Sequence, residues 1–238
     1  MSCTKDDSGK ICKSDCNTIK GKFTTMNGEP VPGVKLELKH TKGTAWYGDV
    51  RVIAKTTSKA DGTYELKFHL KDHEVGQDAE GYFSVLIDDS DLDIDYYIKQ
   101  DNELGTSANT MDFTIDHFED REEVVEYNFY IPKKAWITVH LNNYYPQDEF
   151  DYFNVSSLYP FGRETGGNPD EPVYHTGKSG YEAFMATEPN NALKVYVAEK
   201  ENNKLFITRK KNGEKLPHET LELFVPENPE DIEVNFEY

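Results

Sequence analysis

The 238-residue chain has no run of about 18 or more apolar residues, the length an α-helix needs to cross a bilayer, so the sequence holds no membrane-spanning helix. It has only three cysteines. Basic residues are in the minority: 26 Lys and Arg stand against 44 Asp and Glu, a formal net charge of −18. That balance repels phosphate backbones, because a nucleic-acid binder displaces condensed counterions with clustered cations, and it excludes nucleic acid as an expected partner. A G-x-S-x-G elbow, an H-E-x-x-H pair and a phosphate-cradling glycine loop are all missing, as are long Ala, Leu, Glu and Lys runs at helical spacing. No catalytic centre is therefore expected. A glycan-active hydrolase stays as the alternative, because a working carboxylate pair leaves no sequence motif.

What is present is aromatic and strand-like, with 15 Tyr and 13 Phe. Val34, Leu36 and Leu38 alternate with polar residues, as do Tyr64, Leu66, Phe68 and Leu70, and Phe83, Val85 and Ile87. A period of two is what one buried and one wet sheet face require. Asn27-Gly28 and Asp61-Gly62 read as turns, and Pro30 and Pro32 as a stiff connector. Ile94-x-Tyr96 and Val124–Ile131 read as further strands on alternation alone.

Past Pro132-Lys133-Lys134 a new series begins, with Trp136 as a core anchor. It continues through Asp151–Ser157, Leu193/Val195/Val197, Leu205/Ile207, Leu221/Leu223/Val225 and Ile232/Val234/Phe236, with turns at Asn202-Asn203 and Asn212-Gly213. The expected fold class is all-β, two antiparallel β-sandwich domains in tandem. Residues 1–17 are expected as a flexible leader, 18–132 as the first sandwich and 133–238 as the second.

Two resemblances sharpen this reading. The opening Ser2-Cys3-Thr4-Lys5-Asp6-Asp7 resembles the start of a mature bacterial lipoprotein of the Bacteroidetes surface-exported type. It implies acylation of Cys3 and an outer-membrane lipid as partner, with the chain facing outward; two or more acyl chains give stable anchoring where one gives marginal binding. The run Gly21-x-Phe23, Asn27-Gly28-Glu29-Pro30-Val31-Pro32-Gly33-Val34-x-Leu36-x-Leu38 and Asp61-Gly62-Thr63-Tyr64-x-Leu66 resembles a carboxypeptidase regulatory-like domain. That family is a transthyretin-like, Ig-like Greek-key sandwich, and it implies an accessory or binding role with no catalytic residues.

Three candidate sites remain. Cys12 and Cys16 are an even pair at C-x3-C spacing, open to a disulfide. Asp91, Asp93 and Asp95 would project from one face of a strand and could take Ca²⁺; the alternative is a charged strand edge that discourages pairing. Tyr144, Tyr145, Tyr159 and Phe161 lie in an aromatic stretch beside amides and carboxylates, which suits a glycan or protein ligand if they are exposed and a core if they are not. His69 and His73 are four apart on a segment read as strand, where that spacing does not bring ligands together. No cofactor is expected beyond the candidate Ca²⁺. The function expected is a non-catalytic surface module for binding, adhesion or spacing, with a structural subunit of an outer-membrane complex or fibre as a further alternative.

Overall fold

The structure, a computed structural model, describes residues 4–44, 47–99, 111–164, 179–187, 189, 192–227, 229 and 232–238. Regular structure among them is strand apart from one 3-10 turn, Asp72–Glu74. The protein is all-β. The chain forms two compact units, one built on Gly28–Leu92 with the preceding residues to Thr24 and the segment ending at Phe129, the other on Tyr130–Tyr238 with Thr25–Asn27 and the segment that begins at Asp93.

The first unit contains β1 (Thr4–Asp6), β2 (Cys16–Thr24), β3 (Lys35–Thr44), β4 (Tyr47–Thr57), β5 (Thr63–His69), β6 (Tyr82–Asp88), β7 (Phe113–Ile115), β8 (Val124–Glu126) and the start of β9 (Phe129–Tyr130). One sheet runs β1–β4–β3–β6–β7; in the other, β2 pairs antiparallel with β5 and parallel with β8. The alternating residues face inward as their period requires: Leu36, Leu38, Tyr64, Leu66, Phe68, Phe83, Val85 and Ile87 are all buried. Phe23 stacks on Phe129 at 4.7 Å, and Phe118 meets Phe68 and Phe83 edge-on at 5.6 and 5.1 Å. Such ring pairs contribute about 1 kcal/mol each beyond the area they bury.

Glycines shape the first unit at two positions. Gly62 turns with φ +75°, and a Cβ there would lie 2.4 Å from the Phe23 carbonyl oxygen. Gly21 is the tighter case: the Tyr127 carbonyl crosses β2 so closely that a Cβ would sit 1.8 Å from its oxygen. The Tyr64 hydroxyl donates to that same carbonyl at 2.8 Å, which fixes the crossing.

Two expectations for this half are corrected. The flexible leader gives way, from Thr4 on, to ordered chain, because β1 adds parallel to β4 with Thr4 opposite Val50 and Lys5 opposite Arg51. Edge pairing uses backbone groups, so a strand with no apolar residue can join a sheet. Cys12 and Cys16 form a disulfide with their Cα atoms 5.9 Å apart, closing the segment between β1 and β2. Ile94-x-Tyr96 is a turn, not a strand, and both side chains are exposed.

The second unit contains β10 (Lys134–Asn142), β11 (Tyr152–Pro160), β12 (Gly162–Arg163), β13 (Ser179–Ala186), β14 (Ala192–Ala198), β15 (Asn202–Lys211), β16 (Glu214–Lys215), β17 (Glu219–Phe224) and β18 (Glu233–Glu237). One sheet runs β14–β10–β18; the other runs β13–β11–β15–β16, with β17 also paired to β15. The core between them is Ala135, Ile137, Val139 and Leu141 from β10, Phe153 and Val155 from β11, Val195 and Val197 from β14, and Leu205 and Ile207 from β15. Asn212 and Gly213, with φ 51° and 78°, make the β15–β16 hairpin turn, the left-handed pair a two-residue hairpin favours. Trp136 is not the core anchor expected of it. The odd-numbered residues of β10 point inward, so Trp136 lies outside, 49 % exposed and edge-on to Tyr196 at 5.7 Å. Asn203 likewise belongs to β15 and is buried, and the turn before it is made by Lys200 in the left-handed region.

Candidate functional site

The stretch 143–151 joins β10 to β11 and begins with Asn143 in the left-handed region, φ 60°. The side chains of Tyr144 and Asp151, near its two ends, turn inward. Tyr144 is buried, donates its hydroxyl to the Ala186 carbonyl at 2.7 Å and meets Tyr238 edge-on at 4.6 Å. Asp151 is 1 % exposed, and its carboxylate is the hub of the loop. One oxygen accepts from the Gln147 and Asp148 amides at 2.9 and 3.1 Å; the other accepts from Gly213 in the β15–β16 turn at 3.1 Å. Burial opposes the charge on Asp151, yet these backbone donors outweigh it and hold the group at about 2. Asp148 repeats the device on a smaller scale by accepting from the Phe150 amide at 2.8 Å.

Between these anchors Tyr145 and Phe150 face solvent, 65 % and 63 % exposed. The Lys210 ammonium lies 5.0 Å from the centre of the Phe150 ring, within cation–π range. The loop thus presents two aromatic side chains, a cation and polar loop side chains on a backbone held by hydrogen bonds. Of the four aromatics expected to share a ligand surface, only Tyr145 is available to one. Tyr144, Tyr159 and Phe161 are core residues at 1 to 3 % exposure, because the parity of β11 and the Tyr144 hydroxyl bond point them inward. Phe150 and Lys210 complete the loop surface and the buried Asp151 fastens the backbone beneath it; the Asp148-x-x-Asp151 spacing, typical of side-chain-capped turns, is the sequence signal for the loop's backbone alone.

The candidate Ca²⁺ ligands are not arranged as expected. Residues 90–96 form turns, so Asp91, Asp93 and Asp95 are not aligned along one strand face. The Asp91 carboxylate pairs with Lys35 at 2.6 Å, and that of Asp93 accepts from the Asp95 amide at 2.9 Å. Among the described residues no group of three His, Cys, Asp or Glu side chains is placed to hold a metal ion. Cys3, the candidate lipidation residue, lies outside the described residues.

Two further polar clusters are buried. In the first unit the Arg51 guanidinium grips both oxygens of Glu74 and stands 3.7 Å from Asp7, which Lys10 reaches at 2.9 Å. Burial disfavours the Glu74 charge, but the Lys71 amide and Arg51 outweigh it and keep the carboxyl below its ordinary range. His40 donates from Nε2 to the Glu80 carbonyl at 2.7 Å, and burial pushes its ring toward the neutral form. In the second unit Glu201 is 4 % exposed; one oxygen accepts from the Met26 amide at 3.2 Å and the other has no hydrogen-bond partner among the described residues. Burial raises this carboxyl to about 8.

No protein-family model matches the chain, and no curated protein does. Solved structures similar to it include the Bacillus anthracis TIE protein, at 10% identity and TM-score 0.33 over 93% of this chain and 34% of that one. A Streptococcal ancillary pilin gives 10% identity and TM-score 0.32 over 95% of this chain and 63% of its own. The shaft pilin SpaA of Lactobacillus rhamnosus GG gives 10% identity and TM-score 0.29 over 93% and 96%. The chain thus spans about a third of the first of these and less than two thirds of the second.

Proposed function

We propose that the protein is a non-catalytic module of a bacterial cell surface, held to the outer membrane through a lipid on Cys3, whose β10–β11 loop engages a glycan or protein ligand. The observation that carries this reading is the loop itself: Tyr145 and Phe150 stand exposed on a backbone fastened by the buried Asp151 carboxylate. Exposed aromatics are more than decoration when the chain beneath them is already ordered. A ring with two side-chain torsions loses little entropy on contact, and a pre-set loop avoids most of the ordering cost of binding. Flat apolar faces next to carboxylates and amides match the alternating apolar faces and hydroxyl edges of a sugar, and Lys210 adds a cation for an acidic one. The lipid rests on Ser2-Cys3 followed by Lys5-Asp6-Asp7, the pattern of a surface-exported lipoprotein.

Glycan-array screening of the full chain, with reducing-end analysis of every glycan retained, tests the proposal. Retention of one glycan class with no new reducing ends is the expected result. Release of reducing ends would assign the protein to the hydrolases, and an array blank for glycans together with no ligand in protein cross-linking would remove the binding role.

A further inference from the structure

Beside the Arg51–Glu74 pair the first unit carries a cleft of about 380 Å³. Lys5, Lys42, Arg51 and Lys71 line it against two carboxylates, Asp49 and Glu74, with His40 and His73 completing the wall. Glu74 is already committed to the Arg51 fork, so the balance on the lining is positive within a chain whose net charge is −18. The ammonium groups are within reach of solvent: the side chains of Lys5, Lys42 and Lys71 are 62 %, 52 % and 44 % exposed. Their acidic neighbours are Asp7, 3.6 Å from Lys5, Glu80, paired with Lys42, and the buried Glu74, 4.0 Å from Lys71.

The cleft is built rather than incidental. Lys5 is placed by β1, directly opposite Arg51 on β4. The segment after β1 is fixed by the Lys10–Asp7 pair and closed by the Cys12–Cys16 disulfide. Arg51, 8 % exposed, is aimed by the two hydrogen bonds it donates to the Glu74 carboxylate on the 3-10 turn. The covalent chain also sets where the cleft meets a membrane. Cys3 immediately precedes β1 and is two residues from Lys5, a separation of at most about 7 Å along an extended chain.

We propose that this cleft seats the phosphate of an anionic lipid headgroup beside the acylated Cys3. The proposal rests on the surface-anchored reading above. A chain carrying −18 is pushed away from an anionic membrane, and an acyl tether alone leaves its orientation open. Four cations, one of them two residues from the anchor and the others on β3, β4 and at the start of the 3-10 turn, gather here against two lining carboxylates, an arrangement that attracts an anionic headgroup more than the rest of the acidic surface does. A tetrahedral anion suits this lining, since lysine ammoniums act as movable point charges toward phosphate oxygens.

The test is a nuclear-magnetic-resonance titration of the full chain with inorganic phosphate, with monomeric short-chain phosphatidylglycerol and with its phosphatidylcholine counterpart. Phosphatidylglycerol is expected to shift the His73 ring and the amides of Lys5, Val50 and Lys71 to saturation, while phosphatidylcholine leaves them in place. Lys5→Glu/Lys71→Glu is expected to weaken that response at least about tenfold with the rest of the spectrum unchanged. Lys5→Gln/Lys71→Gln, milder at the same two exposed positions, lowers it in the same direction. Equal shifts with both lipids, no shifts at all, or shifts with inorganic phosphate and none with phosphatidylglycerol would overturn the proposal, the last assigning the cleft to free phosphate. Intact mass of the protein extracted from membranes reports the anchor separately: an unmodified Cys3 refutes lipidation whatever the titration shows.

Discussion

At the scale of single residues, two buried carboxyls lie in opposite electrostatic circumstances. Asp151 is surrounded by backbone donors and held at about 2; Glu201 has one donor and is raised to about 8. Because the unfolded chain binds a proton at Asp151 more readily than the folded chain does, its contribution is present above the ordinary carboxyl range and is lost as pH falls toward about 2. Asp151→Asn is expected to leave the sandwich folded while speeding hydrogen exchange at the Gln147 and Gly213 amides, which a site-resolved exchange experiment reads directly. The sign reverses for Glu201. The folded chain keeps a proton that the unfolded chain gives up, so stability is fully present below about 4.5 and declines as pH rises to about 8. Glu201→Gln should remove that decline and, at about pH 9, exceed the wild type by roughly 2 to 4 kcal/mol in urea denaturation. A variant no more stable than the wild type at high pH would contradict the burial of a carboxyl held by a single amide donor.

At the scale of strands, parity decides. Ala135, Ile137, Val139 and Leu141 point into the core and Trp136 points out, so Ile137→Ala should cost about 2 to 4 kcal/mol and Trp136→Ala less than about 1 kcal/mol in thermal or chemical denaturation. The reverse ranking would mean that β10 is paired one residue out of register. Backbone proximity gives a second expectation: Gly21→Ala should destabilise the first unit more than Gly28→Ala. At Gly21 a Cβ meets a carbonyl, whereas at Gly28 it meets open space and only the left-handed backbone costs, about 1 kcal/mol.

These elements also show what the amino-acid order discloses. Leu36/Leu38, Tyr64/Leu66/Phe68 and Phe83/Val85/Ile87 were legible because apolar alternation has a single solution in a two-layer fold. The size of Trp136 suggests a core anchor, but the smaller residues flanking it carry the buried parity. Ile94 and Tyr96 alternate too, but Asp93 caps the Asp95 amide there and turns the chain. β1 was invisible, since it joins its sheet through backbone bonds and buries no apolar side chain. Of the candidate site, Tyr145 was legible as an aromatic among polar residues. Arg51, Glu74 and Asp151 were not, because a charged residue is read as surface until its partners are known.

At the scale of the whole molecule, an acidic all-β chain combines a loop that offers aromatic faces with a separate cleft that offers cations. The first suits a neutral or weakly acidic ligand held by contact, so its affinity should change little with salt; the second suits a phosphate and should weaken as salt screens it. Tyr145 and Phe150, exposed on a loop whose backbone the Asp151 carboxylate fastens, are the proposed ligand surface. Titration calorimetry of the glycan or protein ligand against the wild type and Tyr145→Ala/Phe150→Ala tests it most directly. A loss of affinity of at least about a hundredfold with the melting temperature unchanged is predicted, because exposed rings hold no part of the core. Equal affinity in the double variant would contradict it and place the ligand elsewhere on the protein.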